Sequence, residues 1–279
     1  MNENSDALAH EQASHDAFYG ERAALGFSTG NFEARAAYPW QSCFNLYSDE
    51  HRRFMQKALA VAKSPVLEVG CGRGELSCYL GLKGFAVSGF DLSGEGVRQG
   101  NAMAAGLNLG NRVTLVQANA QRLPYPDNHF ASAVGHGVLH HIAKYANTAS
   151  ELHRVMQPGA SAVFLENLGN GPWRLVRRWT MLSKQNEQFG DINLTTGFLR
   201  NWAGQFSSVD IRGINLAFMA KRLFFVRREN PDGTVVKAKR TNLVSRALLS
   251  GLWLTDEVLV NHTPIGNWLG GMCLVTLKK

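Results

Sequence analysis

Two stretches of the chain gather side chains able to move a proton. "GHGVLHHI" carries His136, His140 and His141, and "FLEN" carries Glu166. An unperturbed imidazole titrates near pH ~6.5, so at neutral pH it is mostly uncharged and able to accept a proton. A carboxylate beside it can orient the ring or bind a substrate hydroxyl. The simpler role for the histidines is to cap or pack the helix that follows. Neutral histidines also ligate metals. This cluster lacks a paired Cys or carboxylate at ligand spacing, so no metal is expected. A third stretch, "VLEVGCGRGELS", places Gly70, Gly72 and Gly74 at alternate positions directly after an apolar run. Such a loop is either a tight turn or a cradle that aims backbone N–H groups at a ligand and lets it approach. Asp91, closing the apolar "VSGFD", favours the cradle. A carboxylate at that point can accept hydrogen bonds from both hydroxyls of an adenosine ribose.

These groups need strands and helices to bring them together, and the sequence supplies them in alternation. "PVLEVG", "FAVSGFD", "RVTLVQAN", "FASAVGHG" and "ASAVFLENLG" read as short apolar strands. "GELSCYLGLKG", "SGEGVRQGNAMAAGL" and "TASELHRVMQPG" read as helices between them, the last stopped by Pro158-Gly159. The rhythm predicts an α/β fold, a doubly wound, mostly parallel sheet with helices on both faces. Upstream, "HDAFYGERAAL" and "YSDEHRRFMQKALAVA" read as helices, the second capped by Ser48. Downstream, "PWRLVRRWTML" and "TTGFLRNWAGQF" read as helices, the latter with Thr195 or Thr196 as cap. "SSVDIRGINLAFM" and "GMCLVTLKK" complete a seven-stranded sheet. A basic, aromatic insertion at about 221–267, with the turn signal "NPDG", separates these two strands.

"LEVGCGRGELS", "GFDLS", "ANAQRLPYPDNHFASAVGHGVLHHI" and "ELHRVMQPGASAVFLEN" follow one another in the order and spacing of class I S-adenosylmethionine-dependent methyltransferases. The chain resembles the small-molecule branch of that family, including sugar and natural-product O-methyltransferases, over roughly residues 50–168. The resemblance implies a Rossmann-like methyltransferase fold and S-adenosyl-L-methionine as cofactor. It places Gly70, Cys71 and Gly72 along the methionine part of the cofactor and counts Glu68 and His136 among the cofactor-binding residues. Asp91 is implied on the ribose, Leu92 on the adenine face, and Asn119 and Ala120 at the adenine edge. Asn119 stands where the family commonly has an acidic residue, though its side-chain oxygen can still accept a hydrogen bond. His140 and His141 are implied as base candidates, with Glu166 as their orienter or a substrate ligand. The implied reaction moves a methyl group to a small molecule, an oxygen acceptor before nitrogen, sulfur or carbon. A non-catalytic cofactor-binding partner subunit is the alternative. A dinucleotide oxidoreductase is disfavoured by G-x-G-x-G in place of G-x-G-x-x-G. Tyr125 and His153 read as a loop residue and a structural histidine, and Phe18 and Tyr19 as parts of a lid.

The composition, 45% hydrophobic and 18% charged over 279 residues, is that of a soluble globular protein. Residues 1–50 read as an N-terminal helical lid and 51–279 as the methyltransferase domain. Cys43, Cys71, Cys78 and Cys273 form no dense framework, so free thiols and a cytoplasmic location are expected. No uncharged run reaches the ~18 residues of a membrane-spanning helix. The net charge of +7 is concentrated: residues 172–246 hold 14 Lys and Arg against 5 Asp and Glu. That segment fits an anionic or glycosylated small molecule, held by Arg174, Arg177 and Arg178, or a peripheral membrane contact, or simple solvation. Trp173, Trp179, Trp202 and Trp253 fit acceptor stacking or core packing equally. Nucleic acid is not expected, because no recognition module is present. The sequence indicates no oligomeric state.

Overall fold

The computed structural model describes residues 3–22, 49–169, 192–214, 225–229, 235–239, 251, 254–260 and 262–279. Helices α1 (Glu3–Arg22) and α2 (Asp49–Val61) precede the first strand. Then come β1 (Val66–Val69), α3 (Glu75–Leu82), β2 (Val87–Asp91), α4 (Gly94–Gly106), β3 (Val113–Gln117) and β4 (Phe130–His136). Two short helices, α5 (Leu139–Ile142) and α6 (Thr148–Val155), lead into β5 (Met156–Asn167). Helix α7 (Thr196–Trp202) and β6 (Ser208–Ile214) follow. After them come a separate hairpin of β7 (Phe225–Glu229) and β8 (Val235–Lys239), a π-helical stretch (Asp256–Val260), α8 (Gly266–Leu269) and β9 (Met272–Lys278).

The main sheet has seven strands in the order β3-β2-β1-β4-β5-β9-β6. The first five are parallel, and β9 runs antiparallel to both its neighbours. Strand order reverses between β1 and β4, which opens a crevice at their carboxyl ends. Both faces of the sheet are covered, so β1 is apolar or buried at every position. Leu67, Val69, Phe90, Ala133 and Phe164 enter one core, with Leu152 of α6 and Leu199 of α7. Val66, Val87, Val134 and Val163 enter the other, with Phe54 of α2 and Leu80 of α3.

Three boundaries differ from the sequence reading. α6 ends at Val155 because Met156 turns to an extended conformation, so the helix stops before Pro158. β5 starts there: Met156 pairs with Phe130, the register shifts, and pairing resumes at Ser161 with Ser132. Pro158-Gly159 thus sits in an irregularity within the strand. α1 begins twelve residues before "HDAFYGERAAL", at Glu3. Thr195 is the cap of α7, accepting from the Phe198 N–H at 3.1 Å. Ser48, "NPDG" and "PWRLVRRWTML" lie outside the described residues.

One arginine fastens the "LPYPD" loop beneath the crevice. Arg154 Nε and Nη2 each donate to Glu151 at 2.8 Å. Its other donors reach the carbonyls of Tyr125 and Leu123 and the carboxylate of Asp127. Glu151 in turn accepts the Leu123 N–H at 2.7 Å. Arg154→Ala is expected to lower stability by about 2 kcal/mol, seen as a lower urea midpoint at unchanged m-value.

Candidate active site

The carboxyl ends of β1, β2 and β4 open into two adjoining cavities of about 290 and 280 Å³. They share Phe18, Tyr19, Gly70 and His136 in their walls. The floor is the glycine loop between β1 and α3. Gly70 and Gly72 have φ of +65° and +51°, which an L side chain adopts only with strain. A methyl group at Gly70 would also strike Val138, and one at Gly72 the Tyr19 hydroxyl.

Asp91 ties this loop to β2. Its Oδ2 accepts the Gly72 N–H at 2.8 Å and its Oδ1 the Ser93 N–H at 2.9 Å. Burial raises its pKa, and the two backbone donors oppose that rise. These bonds use one lone pair on each oxygen, leaving a second on each for a diol. Asp91, Leu92, Asn119 and Ala120 line the first cavity together. Asn119 Oδ1 already accepts the Gln121 N–H at 2.9 Å, so half its accepting capacity is committed to its own turn. Glu68, Cys71 and Gly72 line the second cavity. Glu68 is buried and accepts a hydrogen bond from the Ser77 hydroxyl. Burial pushes its carboxyl up to about 8 despite that bond. Burial likewise pushes the Cys71 thiol well up, which leaves it inert at neutral pH.

The paired histidines part company. His140 Nδ1 lies 2.8 Å from Glu166 Oε2. Glu166 is fully buried, and its Oε1 accepts the Val138 and Leu139 N–H groups at 2.7 and 2.6 Å. This carboxylate therefore holds the first turn of α5 and the His140 ring, and neither residue lines either of these two cavities. His141 does line the first cavity. Its carboxylate neighbour is Glu11, with Nδ1 3.4 Å from Oε1. His136 borders both cavities, its ring 4.8 Å from that of His51.

The roof is α1: Phe18 and Tyr19, read from the sequence as parts of a lid, face the first cavity, and with them Leu8, Glu11 and His15, which the sequence reading passed over. Asp16 accepts from the Ser93 hydroxyl and from the Glu95 N–H, which pins the helix to the start of α4. Gln99 donates to the Tyr19 carbonyl at 2.9 Å. Glu11 is buried, which opposes its charge, yet His141, the Tyr145 hydroxyl and Lys144 together hold its carboxyl down at about 2. Glu11, His15 and His141 also offer ligand atoms within 4.8 Å of one another. The Lys144 ammonium already stands 3.2 Å from Glu11, so a cation there would meet a charge of its own sign. The signal that would have found these residues is their spacing: 8, 11, 15 and 18 form a helical stripe in which two members are polar.

The region from β1 to β5 matches a family model described as a methyltransferase domain, over residues 67–164. Residues 67–164 thus carry a methyltransferase domain. Such domains use S-adenosylmethionine. Demethylmenaquinone methyltransferase of Symbiobacterium thermophilum is 29% identical over 119 residues, 42% of this chain and 47% of that protein. A probable chloroplastic tocopherol O-methyltransferase of Oryza sativa is 33% identical over 131 residues, 42% of this chain and 36% of that protein. The chain thus spans less than half the length of these relatives. Geranyl diphosphate C-methyltransferase of Streptomyces coelicolor superposes with a TM-score of 0.54 at 14% identity, over 88% of this chain and 84% of that one. Phosphoethanolamine N-methyltransferase 2 of Haemonchus contortus does so at 0.55 and 15%, over 91% and 60%. These two likenesses establish the shared fold.

The crevice fits that cofactor on its own geometry. A diol finds one remaining lone pair on each Asp91 oxygen, and the positive φ of Gly70 and Gly72 shapes the loop that holds this carboxylate at the crevice. Tyr125 donates to the Gly89 carbonyl outside both cavities, and His153 packs edge-on against Phe206 at 5.2 Å. Trp202 donates to Thr148, a packing role. Arg174, Arg177, Arg178, Trp173, Trp179, Trp253 and Cys43 lie outside the described residues.

Asp91→Ala is expected to weaken S-adenosylmethionine at least tenfold by calorimetry, since a charge-assisted hydrogen bond contributes about 1.5–3 kcal/mol. Glu68 yields a pH test. The folded chain keeps a proton on Glu68 up to about pH 8, whereas the unfolded chain releases it near 4.5. Stability contributed by that proton therefore declines as pH rises between those values. Glu68→Gln should flatten this decline in denaturation curves taken across the window, and a parallel curve would refute the assignment.

Proposed function

We propose that this chain transfers a methyl group from S-adenosylmethionine to a small, largely apolar acceptor bearing an acidic hydroxyl, such as a phenol or enol. When bound, the cofactor supplies an electrophilic methyl on a sulfonium. Asp91 holds its ribose, and Leu92, Asn119 and Ala120 surround its adenine. Glu68, Gly70, Cys71, Gly72 and His136 border the methionine end. α1 serves as a lid that excludes water from the crevice.

His141 is the proposed base, supported by its place on the cavity wall beside Glu11. Glu11 is the positioning residue for the ring, and Glu166 with His140 fixes the short helix on which His141 rides. Leu8, Phe18, Ile142 and Tyr145 give the cavity an apolar lining suited to a ring or prenyl substituent. Removing the hydroxyl proton raises electron density on the oxygen and on the adjacent ring carbon alike. One base thus serves both O- and C-transfer, the two outcomes named among the relatives and structural neighbours. Oxygen is the first choice here.

The test is turnover of labelled methyl donor on a panel of phenols and hydroxyquinones. His141→Ala should lower kcat by about 10²–10⁴-fold with cofactor affinity nearly intact. The parent rate should fall on the acid side as the imidazole protonates. A His141→Ala enzyme that keeps parent kcat removes the base from the mechanism and leaves catalysis to alignment alone.

A further inference from the structure

Among the described side chains of α1, the one that is buried is an acid, Glu11. Its partners all come from one short stretch. The Tyr145 hydroxyl donates to Glu11 Oε2 at 2.5 Å, and the Lys144 ammonium stands 3.2 Å from the same oxygen. His141 Nδ1 lies 3.4 Å from Oε1. A carboxylate is buried at tolerable cost only while such partners hold it, and removing it leaves them without their common acceptor. Lifting α1 breaks all three contacts at once. The seating of that helix and the alignment of residues 141–145 are therefore one event.

A second fastening of α1 lies elsewhere. Asp16 accepts from the Ser93 hydroxyl and from the Glu95 N–H at 3.0 Å, at the start of α4. Neither bond involves His141. Around the His141 ring stand the groups that govern its proton affinity. Glu11 and His15 face it from α1, the His15 ring edge-on with centroids 4.9 Å apart. The His140 ring is 4.2 Å away and is held by Glu166. Lys144 and Tyr145 follow on the same stretch. Asp91 acts from β2: burial raises its carboxyl, and His15 and His141 are among the groups that oppose the rise. Glu11 is the carboxylate in contact with the ring. Burial opposes its charge, but His141, Tyr145 and Lys144 hold its carboxyl at about 2. Over the range in which an imidazole titrates, that negative charge is therefore constant.

We infer that seating of α1 arms the base: His141 becomes an effective proton acceptor only while the roof holds Glu11 against it, and the Asp16 pin sets how much of the population is so armed. The inference rests on the reading of His141 as the base. An anion beside an imidazole favours its protonated form, so the seated roof strengthens His141 as a base. Nδ1 faces Glu11, so the hydroxyl proton of the acceptor goes to Nε2. The coupling is reciprocal, and a proton on His141 draws the roof down. Proton removal is thereby reserved for the covered crevice, from which water is excluded.

The experiment is an NMR titration of the histidine rings in the full chain, with His141 assigned by the signal that His141→Gln removes. Glu11→Gln keeps the shape and loses the charge, and should lower the His141 midpoint by about one pH unit. Asp16→Ala should lower the same midpoint, although its own bonds go to Ser93 and Glu95. Asp16→Asn retains an accepting oxygen and should titrate like the parent. The double variant Glu11→Gln/Asp16→Ala should fall no further than Glu11→Gln, because both changes remove one interaction. In turnover, the acid limb of kcat should move to lower pH with the midpoint, which a purely structural defect would not cause. If Glu11→Gln fails to fold, Asp16→Ala, at a half-buried position, carries the test with its Asn control. The coupling is overturned if either single variant leaves the midpoint in place, or if Asp16→Asn shifts it as Asp16→Ala does. Shifted midpoints together with parent kcat in His141→Ala would uphold the coupling between roof and ring and strike out the base itself.

Discussion

A carboxylate buried at the end of a strand must find donors, because an unsatisfied charge there costs several kcal/mol or neutralises itself. The carboxyl edge of this sheet carries three such groups, and the loops are arranged around them. Asp91, closing β2, draws in the Gly72 and Ser93 N–H groups. Glu166, near the end of β5, draws in those of Val138 and Leu139 and the His140 ring. Glu68 on β1 takes the Ser77 hydroxyl of α3. The glycine floor is thereby fixed to one strand and the histidine helix to another. The cavity between them keeps its shape because its walls answer the needs of buried acids.

The same crevice holds two glutamates in opposite protonation states. Glu68, on the floor, is lifted to about 8 by burial and by the nearby like charges of Asp91 and Glu75, despite its bonds to Ser77. Glu11, on the roof, is also buried, but it faces an ammonium, a phenol and an imidazole and is held at about 2. Environment alone separates them. At neutral pH Glu68 is therefore mostly neutral and Glu11 carries a compensated charge, so neither adds an unpaired anion to the crevice.

How much of this was readable in the sequence follows from how local each signal is. The five parallel strands, their helices and the Gly70–Gly72–Asp91 constellation were legible because each rests on a short run with its own pattern. The start of α1 was not, since Glu11 and His15 interrupt its apolar stripe with polar residues that only the packed structure shows to be buried or cavity-facing. Nor was the division of labour between His140 and His141. It depends on the rotation of a four-residue helix, fixed by a carboxylate 26 residues away from His140, and adjacent histidines look alike in a string of letters. The early start of β5 was hidden by Pro158-Gly159, which reads as a stop but sits in a register shift.

The roof has a kinetic consequence. α1 is held down by polar contacts, Asp16 on Ser93 and Glu95, Gln99 on the Tyr19 carbonyl, and Glu11 on Tyr145 and Lys144. To raise it, these hydrogen bonds must be exchanged with water and the Tyr19 ring lifted from Gly72 and Gly96. A molecule beneath such a roof leaves at the rate the helix frays, not at the rate set by its own contacts. Residence time and affinity are then separate quantities in this protein, and a change at Asp16 alters the first while leaving the floor that determines the second intact.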